Sequence, residues 1–335
     1  MKLNDHFKKF VGNISLNPTR TNRIESALSH WENNFKEDEE LKDLFLDFYP
    51  QGSYSTYTGI KPKNEGEFDV DAILLLELDE NEDEPHDVLK GIADRIKSHK
   101  EFEDRVKVKD RCVRIDYAGD FHVDIVPAMP FENVIKIPSK KDKEWCKTNP
   151  AGFTNWCNAI NTKTDGHFAK VVKILKHWRD DKVGEDTAPK SILMTTLVGH
   201  SFVHKASIAE SLVETLGSLI NELENLLEED EIFVKNPSLE DENLARNWDK
   251  TKAERFLKKV KNLKENCKDA LDETDKETSI EKWQNIFGKS YFPSTLGEAK
   301  EMADNISRGL VKVAPSGFLN QEQGTKLRDH RFYGE

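Results

Sequence analysis

Cysteine is scarce in this chain, and its four thiols, Cys112, Cys146, Cys157 and Cys267, form no Cys-x-x-Cys pair. That scatter indicates neither a zinc cradle nor a disulfide framework, and fits buried free thiols in a reducing compartment. Long apolar runs are missing too, since none approaches the ~20 residues that a membrane-crossing helix needs. The opening MKLNDHFKKFVGN lacks the apolar centre of a secretory leader, so a cytoplasmic protein is expected. Net positive charge is also absent: 50 Lys and Arg face 62 Asp and Glu, for a formal charge of −12. A chain this acidic does not hold duplex nucleic acid mainly through backbone electrostatics. A nucleotide or other small anion in a local basic pocket fits better. The chain does have size, with 335 residues, 36% hydrophobic and 33% charged. That suffices for one large domain, or two packed closely, with much charged helix surface.

The most informative stretch is 51–76, QGSYSTYTGIKPKNEGEFDVDAILLL. The run at 72–78 is short and almost wholly apolar, as a buried central strand is. Side chains alternate along a strand, so Asp69 and Asp71 share one face and Val70 takes the other. Two adjacent carboxylates repel and are costly to bury unpaired. A divalent cation removes that cost, and Mg²⁺ takes one or two carboxylates plus substrate phosphates.

A two-metal site needs a third acid, and residues 113–126 offer one. Val113, Ile115 and Tyr117 alternate, Gly119-Asp120 makes a tight turn, and Phe121, Val123 and Ile125 alternate again. Asp124 then faces away from Val123 and Ile125, into a cleft, and Pro127 ends the pairing. Asp116 reads as an edge charge and His122 as a solvated or hydrogen-bonded neighbour.

Gly52-Ser53, then Asp69-Val70-Asp71, then a lone Asp124 on a later strand resemble the DNA polymerase beta-type nucleotidyltransferase core. The segments QGSYSTYTGIKP, EFDVDAILLL and FHVDIVPA are similar to one branch, the cGAS/DncV-like nucleotidyltransferases (CD-NTases) of bacterial CBASS anti-phage defence. The likeness spans roughly residues 35–293.

The resemblance implies an α+β, bilobal fold: a DNA polymerase beta-like nucleotidyltransferase core (mixed sheet with helices) plus a helical oligoadenylate-synthase-like C-terminal lobe. It divides the chain into an N-terminal helical segment packing on both lobes (1–35), the core (36–160), a helical nucleotide-binding lobe (161–293) and a flexible C-terminal tail (294–335). The implied activity is synthesis of a cyclic di- or trinucleotide second messenger from nucleoside triphosphates, ATP among them, by two-metal phosphoryl transfer. Asp69, Asp71 and Asp124 are then the catalytic acids and the ligands of two Mg²⁺ ions, with Mn²⁺ as the alternative. Gln51, Gly52 and Ser53 bind the nucleotide, Ser53 at its terminal phosphates. The animal DNA sensor of the superfamily carries a zinc-bound loop. This chain lacks it, which together with the acidic charge argues against a duplex-DNA activator. Two other readings stay open: a nucleotidyltransferase that modifies a protein or an RNA end, and a catalytically silent nucleotide-binding scaffold.

Elsewhere, residues 21–35 read as a helix with Ile24, Ala27, Leu28, Trp31 and Phe35 on one face. Apolar spacing returns at 41–48 and Pro50 stops it. Residues 78–87 read as a solvated acidic loop and 88–99 as an amphipathic helix. Residues 135–150, with Lys136, Lys140, Lys141, Lys143 and Lys147, read as a solvated basic loop. From about 162–166 the pattern reads as helical through 287.

Within 167–180, Phe168, Val171, Val172, Leu175 and Trp178 build an apolar face, while Lys173 and Lys176 are neighbours on one side. Two close ammonium groups want an anion between them, and a triphosphate supplies one. Pro189 and Ser191 open a further helix with free N–H groups and an outward hydroxyl. In the resembled lobe, such positions contact the incoming nucleotide's phosphates, which assigns Lys173, Lys176 and Ser191 to nucleotide binding. Some bacterial members of that family have their C-terminus captured by conjugation machinery, which implies a regulatory or conjugating partner at the tail ending Tyr333-Gly334-Glu335.

Overall fold

The computed structural model describes residues 1–62, 66–117 and 121–294, together with three two-residue strands at 312–313, 319–320 and 325–326. The turn expected at Gly119-Asp120 lies outside the described residues. So does the expected tail, apart from Ser294 and those strands.

Two buried clusters organise the chain. The first is built on a seven-stranded mixed sheet: β1 (Phe45–Gln51), β2 (Phe68–Leu76), β3 (Val106–Val108), β4 (Val113–Tyr117), β5 (Phe121–Phe131), β6 (Val134–Ser139) and β7 (Glu144–Thr148). The order is β1-β2-β5-β4-β3, with β6 and β7 continuing from β5. β2 and β5 run parallel, whereas β1 with β2 and β4 with β5 are antiparallel.

The first four helices are α1 (Asn4–Ile14), α2 (Pro18–Glu37), the single turn α3 (Gly52–Ser55) and α4 (Pro85–Ser98). One face of the sheet, with Val70, Ala72, Leu74, Val123 and Ile125, packs with Ile24, Leu28 and Trp31 of α2 and Leu89, Ile92 and Ile96 of α4. Ile73 and Val126 are buried on the other face, so the middle of β2 is covered on both sides. That double burial is why 72–76 is apolar without alternation.

The second cluster is helical: α5 (Pro150–Lys163), α6 (His167–Lys182), α7 (Ser191–Ser201), α8 (Ile208–Glu228), α9 (Lys250–Asp272) and α10 (Lys276–Phe287). Phe7, Phe10 and Ile14 of α1 belong to this core, although α2 belongs to the sheet. The two N-terminal helices therefore serve different lobes. Asn17 separates them, its side chain accepting the Arg20 N–H at 2.8 Å and Pro18 opening α2.

Several local expectations are corrected. Residues 45–51 are strand, and Pro50 lies within it; β1 is an edge strand, where a missing N–H is tolerated. Pro127 does not end β5 either. It falls between the last residue paired with β4, Ile125, and the first paired with β6, Met129, where one flank of β5 has no partner.

The basic segment at 135–150 is largely the β6–β7 hairpin. Lys136 is buried against Glu80 of the acidic loop and sits 3.9 Å above the Phe131 ring. Trp145 Nε1 also donates to the Asp83 carbonyl at 2.9 Å, so the two charged segments strap each other down. The helical region starts earlier than expected, at Pro150. It is also broken by a hairpin of β8 (Lys235–Asn236) and β9 (Leu239–Asn243).

Candidate active site

Strand register assembles the acidic wall. Gln51, Asp71, Asp124 and Arg114 lie in successive pairings across β1, β2, β5 and β4. One row outward, Asp69 pairs with His122, and His122 with Asp116. Alternation turns these side chains to the face opposite Val70, Val123 and Ile125.

Where β1 runs into α3, Gly52 has φ +69°, and a Cβ there would lie 2.4 Å from Asp71 Oδ2. Only glycine lets the backbone pass this close to that carboxylate. Ser53 follows it in the turn.

Asp124 is buried and held by a two-pronged contact from Arg114, Nε to Oδ1 at 2.8 Å and Nη2 to Oδ2 at 2.7 Å. The same Nη2 lies 3.0 Å from Asp69 Oδ1. His122 is ringed by acids: Nδ1 is 3.1 Å from Asp69, while Nε2 is 2.8 Å from Glu67 and 3.3 Å from Asp116. Asp71 accepts no hydrogen bond among the described residues. Burial, followed by the charges of Asp124 and Asp69, pushes its carboxyl up to about 7, against the pull of Arg114.

Among the described residues no three acid, His or Cys side chains converge on a metal position as they stand. Both Asp124 oxygens face Arg114 instead. The donor set still suits a hard divalent cation: three carboxylates share one face, and Asp71 carries no hydrogen bond among the described residues.

The opposite wall comes from α6 and α7. Lys176 is buried, and its Nζ donates to Thr58 Oγ1 at 3.0 Å and to the Thr58 carbonyl at 3.4 Å. Burial, then Arg179, brings its ammonium down to about 7. Arg179 donates to Ser191 Oγ at 3.2 Å and to the Pro189 carbonyl at 3.1 Å, which fixes the start of α7. A cleft of about 670 Å³ separates the walls. Gln51, Gly52, Ser53, Asp69 and Asp71 line one side, and Lys176, Arg179 and Ser191 line the other.

Two of the residues singled out from the sequence lie outside that lining. Asp124 stands beside Asp71 on the neighbouring strand. Lys173 reaches Ser15 Oγ at 3.0 Å, at the α1–α2 junction, so the two lysines engage separate neutral groups rather than a shared anion. Arg114 and Arg179 went unnoticed in the sequence. Alternation in β4 signals the first, opposite Val113 and Ile115, and the three-residue step after Lys176 signals the second.

Two family models match in tandem: the Second Messenger Oligonucleotide or Dinucleotide Synthetase domain over residues 1–161, and the Cyclic GMP-AMP synthase C-terminal domain over 165–296. The chain belongs to the cGAS/DncV-like nucleotidyltransferases. It is 25% identical to the c-di-GMP synthase of Roseivirga ehrenbergii, across 100% of this chain and 98% of that one. It is likewise 25% identical to a cyclic AMP-AMP-AMP synthase of Acinetobacter, across 94% and 92% of the two chains.

The solved structure of E. coli MS115-1 CdnC with ATP superposes with a TM-score of 0.71 at 17% identity, covering 88% of this chain and 100% of that one. Vibrio cholerae DncV with the linear intermediate 5′ pppA(3′,5′)pG gives 0.59 at 18%, covering 86% of each. These structures establish the shared nucleotidyltransferase fold. The curated relatives of this CD-NTase are synthases of cyclic di- and trinucleotides. No helix among the described residues is long and apolar enough to cross a membrane.

Proposed function

We propose that this CD-NTase joins nucleoside triphosphates, ATP among them, into a cyclic di- or trinucleotide by Mg²⁺-dependent nucleotidyl transfer. The observation that carries the reading is the set of Asp69, Asp71 and Asp124 on one sheet face, across a cleft from the buried ammonium of Lys176. In this reading the three acids hold two Mg²⁺ ions (Mn²⁺ being the alternative), which activate an acceptor hydroxyl and neutralise triphosphate charge when bound. Gln51, Gly52 and Ser53 present backbone and hydroxyl groups to the terminal phosphates. Lys176, Arg179 and Ser191 supply donors from the other wall. Lys173 acts one step back, holding Ser15 and with it the junction of the N-terminal helices. The protein contributes position and field, and no side chain has to act as a nucleophile.

The setting we infer is bacterial anti-phage signalling of the CBASS type, in the cytoplasm. E. coli MS115-1 CdnC was solved as a complex with HORMA-deltaN. A regulatory protein partner is part of the same reading here, with conjugation at the tail (294–335) as its alternative form.

The test incubates purified protein with all four labelled triphosphates and Mg²⁺, then identifies nuclease-resistant products by mass spectrometry. The wild type is expected to yield a ring. Asp69→Asn with Asp71→Asn is expected to stay folded by circular dichroism and to lose at least about 10³-fold of that activity. Ordinary activity in the double mutant moves the site elsewhere. Single nucleotides added to protein or RNA, or binding without product, would replace ring synthesis with one of the other readings.

A further inference from the structure

β4 places Arg114 directly opposite Asp124. The guanidinium fork takes both oxygens of that carboxylate, and its Nη2 also reaches Asp69. The Arg114 and Asp124 side chains are only 20% and 10% exposed, so water screens this pair little, whereas Asp69 is 51% exposed. Bidentate, charge-assisted contacts of this kind are among the stronger polar interactions available to a carboxylate. The Cys112 thiol also hydrogen-bonds Asp124, and the charged groups around the fork are otherwise acidic or already engaged. Asp71 lies beside Asp124, and His122 takes the far side of Asp69 together with Glu67 and Asp116. Lys107 is committed to Asp116 at 2.8 Å. Arg114 is thus the cation on which the buried acid depends.

An arriving divalent ion meets two obstacles. The oxygens it needs on Asp124 are hydrogen-bonded, and a fixed positive charge sits within a few ångströms. A triphosphate changes that balance, because it brings several anionic oxygens that ligate the ion and offset the guanidinium.

We propose that Arg114 is a stand-in cation: it neutralises Asp124 and Asp69 in the nucleotide-free protein and keeps affinity for free divalent ions low, so that ions enter together with the triphosphate. This rests on the metal-site reading above. Arg114 is therefore a positioning residue, acting through Asp124 and Asp69. By linkage, the nucleotide tightens ion binding by the same factor that the ion tightens nucleotide binding.

The test uses Mn²⁺ as the probe, following the loss of its free-ion electron paramagnetic resonance signal with and without a non-hydrolysable ATP analogue, each beyond the loss that the analogue causes in the absence of protein. Wild type is expected to bind Mn²⁺ weakly alone and far more tightly with the analogue. Arg114→Met is expected to bind Mn²⁺ alone at least about tenfold more tightly than wild type, since a like charge this close has been removed. Its further gain from the nucleotide should shrink in proportion. In EDTA its melting temperature should fall below that of wild type, and Mn²⁺ should raise it by more. Arg114→Lys, which keeps the charge, should stay near wild type in Mn²⁺ affinity.

If Arg114→Met does not fold, Arg114→Gln keeps an amide beside Asp124 without the charge, and the same outcomes decide. Unchanged or weaker Mn²⁺ binding in the neutral variant overturns the proposal while leaving the metal site intact. Wild-type protein that takes up no Mn²⁺ even with the analogue removes the metal-site reading itself.

Discussion

Among the described residues, the hydrogen bonds of the buried Lys176 ammonium go only to neutral oxygens, both of them on Thr58. Burial, with Arg179 close by, lowers it from 10.5 to about 7. Between those values the unfolded chain holds more protons than the folded one, so this group makes stability fall as pH drops through the window and level off below it. The melting temperature of ligand-free protein should therefore decline from about pH 10 to about pH 7, and Lys176→Met should remove most of that slope. A triphosphate supplies the missing negative charge and favours the ammonium again. Nucleotide binding near pH 8 should then take up a proton, seen as calorimetric heats that vary with buffer ionisation enthalpy in wild type and not in Lys176→Met. The lysine and its three-residue spacing from Lys173 are visible in the sequence. Its burial is not, because Thr58 lies 118 residues away.

At the scale of elements, α1 is a piece of the helical lobe placed at the wrong end of the chain. The Phe10 ring is fully buried, stacks on Phe287 at 4.9 Å and meets His177 edge-on at 5.6 Å. Phe10→Ala should cost about 3–5 kcal/mol in urea unfolding, the usual range for emptying a core aromatic site. A similar loss of nucleotide affinity is not expected, since Phe10 does not line the cleft. Periodicity found α2 and the strands around Asp69 and Asp124, because an apolar face repeats within a few residues. It read proline as a stop in β1 and β5, because whether a missing N–H matters depends on which flank has a partner. The β6–β7 hairpin was hidden behind its lysines, of which Lys136 is met by Glu80 of the acidic loop, 56 residues earlier in the chain.

At the scale of the molecule, two unlike lobes set an acidic wall against a basic one, and the acidic wall by itself is electrostatically strained. Asp71 is pushed up to about 7 by burial and by its two neighbours, which marks the crowding. In EDTA the Asp69→Asn, Asp71→Asn double mutant should melt no lower than wild type, since neutral amides relieve that repulsion. With triphosphate and Mg²⁺ the order should invert. Ligand at about 100 times its dissociation constant adds about 2.7 kcal/mol to a protein that binds it, and the double mutant should gain little.

Strand alternation and glycine are local properties. They were enough to put Asp69 and Asp71 on one face, to turn Asp124 away from Val123 and Ile125, and to mark Gly52 as a point of close approach. The side-by-side pairing of Asp71 with Asp124, the fork from Arg114 and the seating of Lys176 under Thr58 come only from the packed chain. The backbone period acts over a few residues, whereas the parallel joining of β2 to β5 and the docking of α6 on the first lobe follow from burying two separate cores. No short window of sequence contains both partners of any of these contacts except Arg114 and Asp124, and even there β4 and β5 had to pair first.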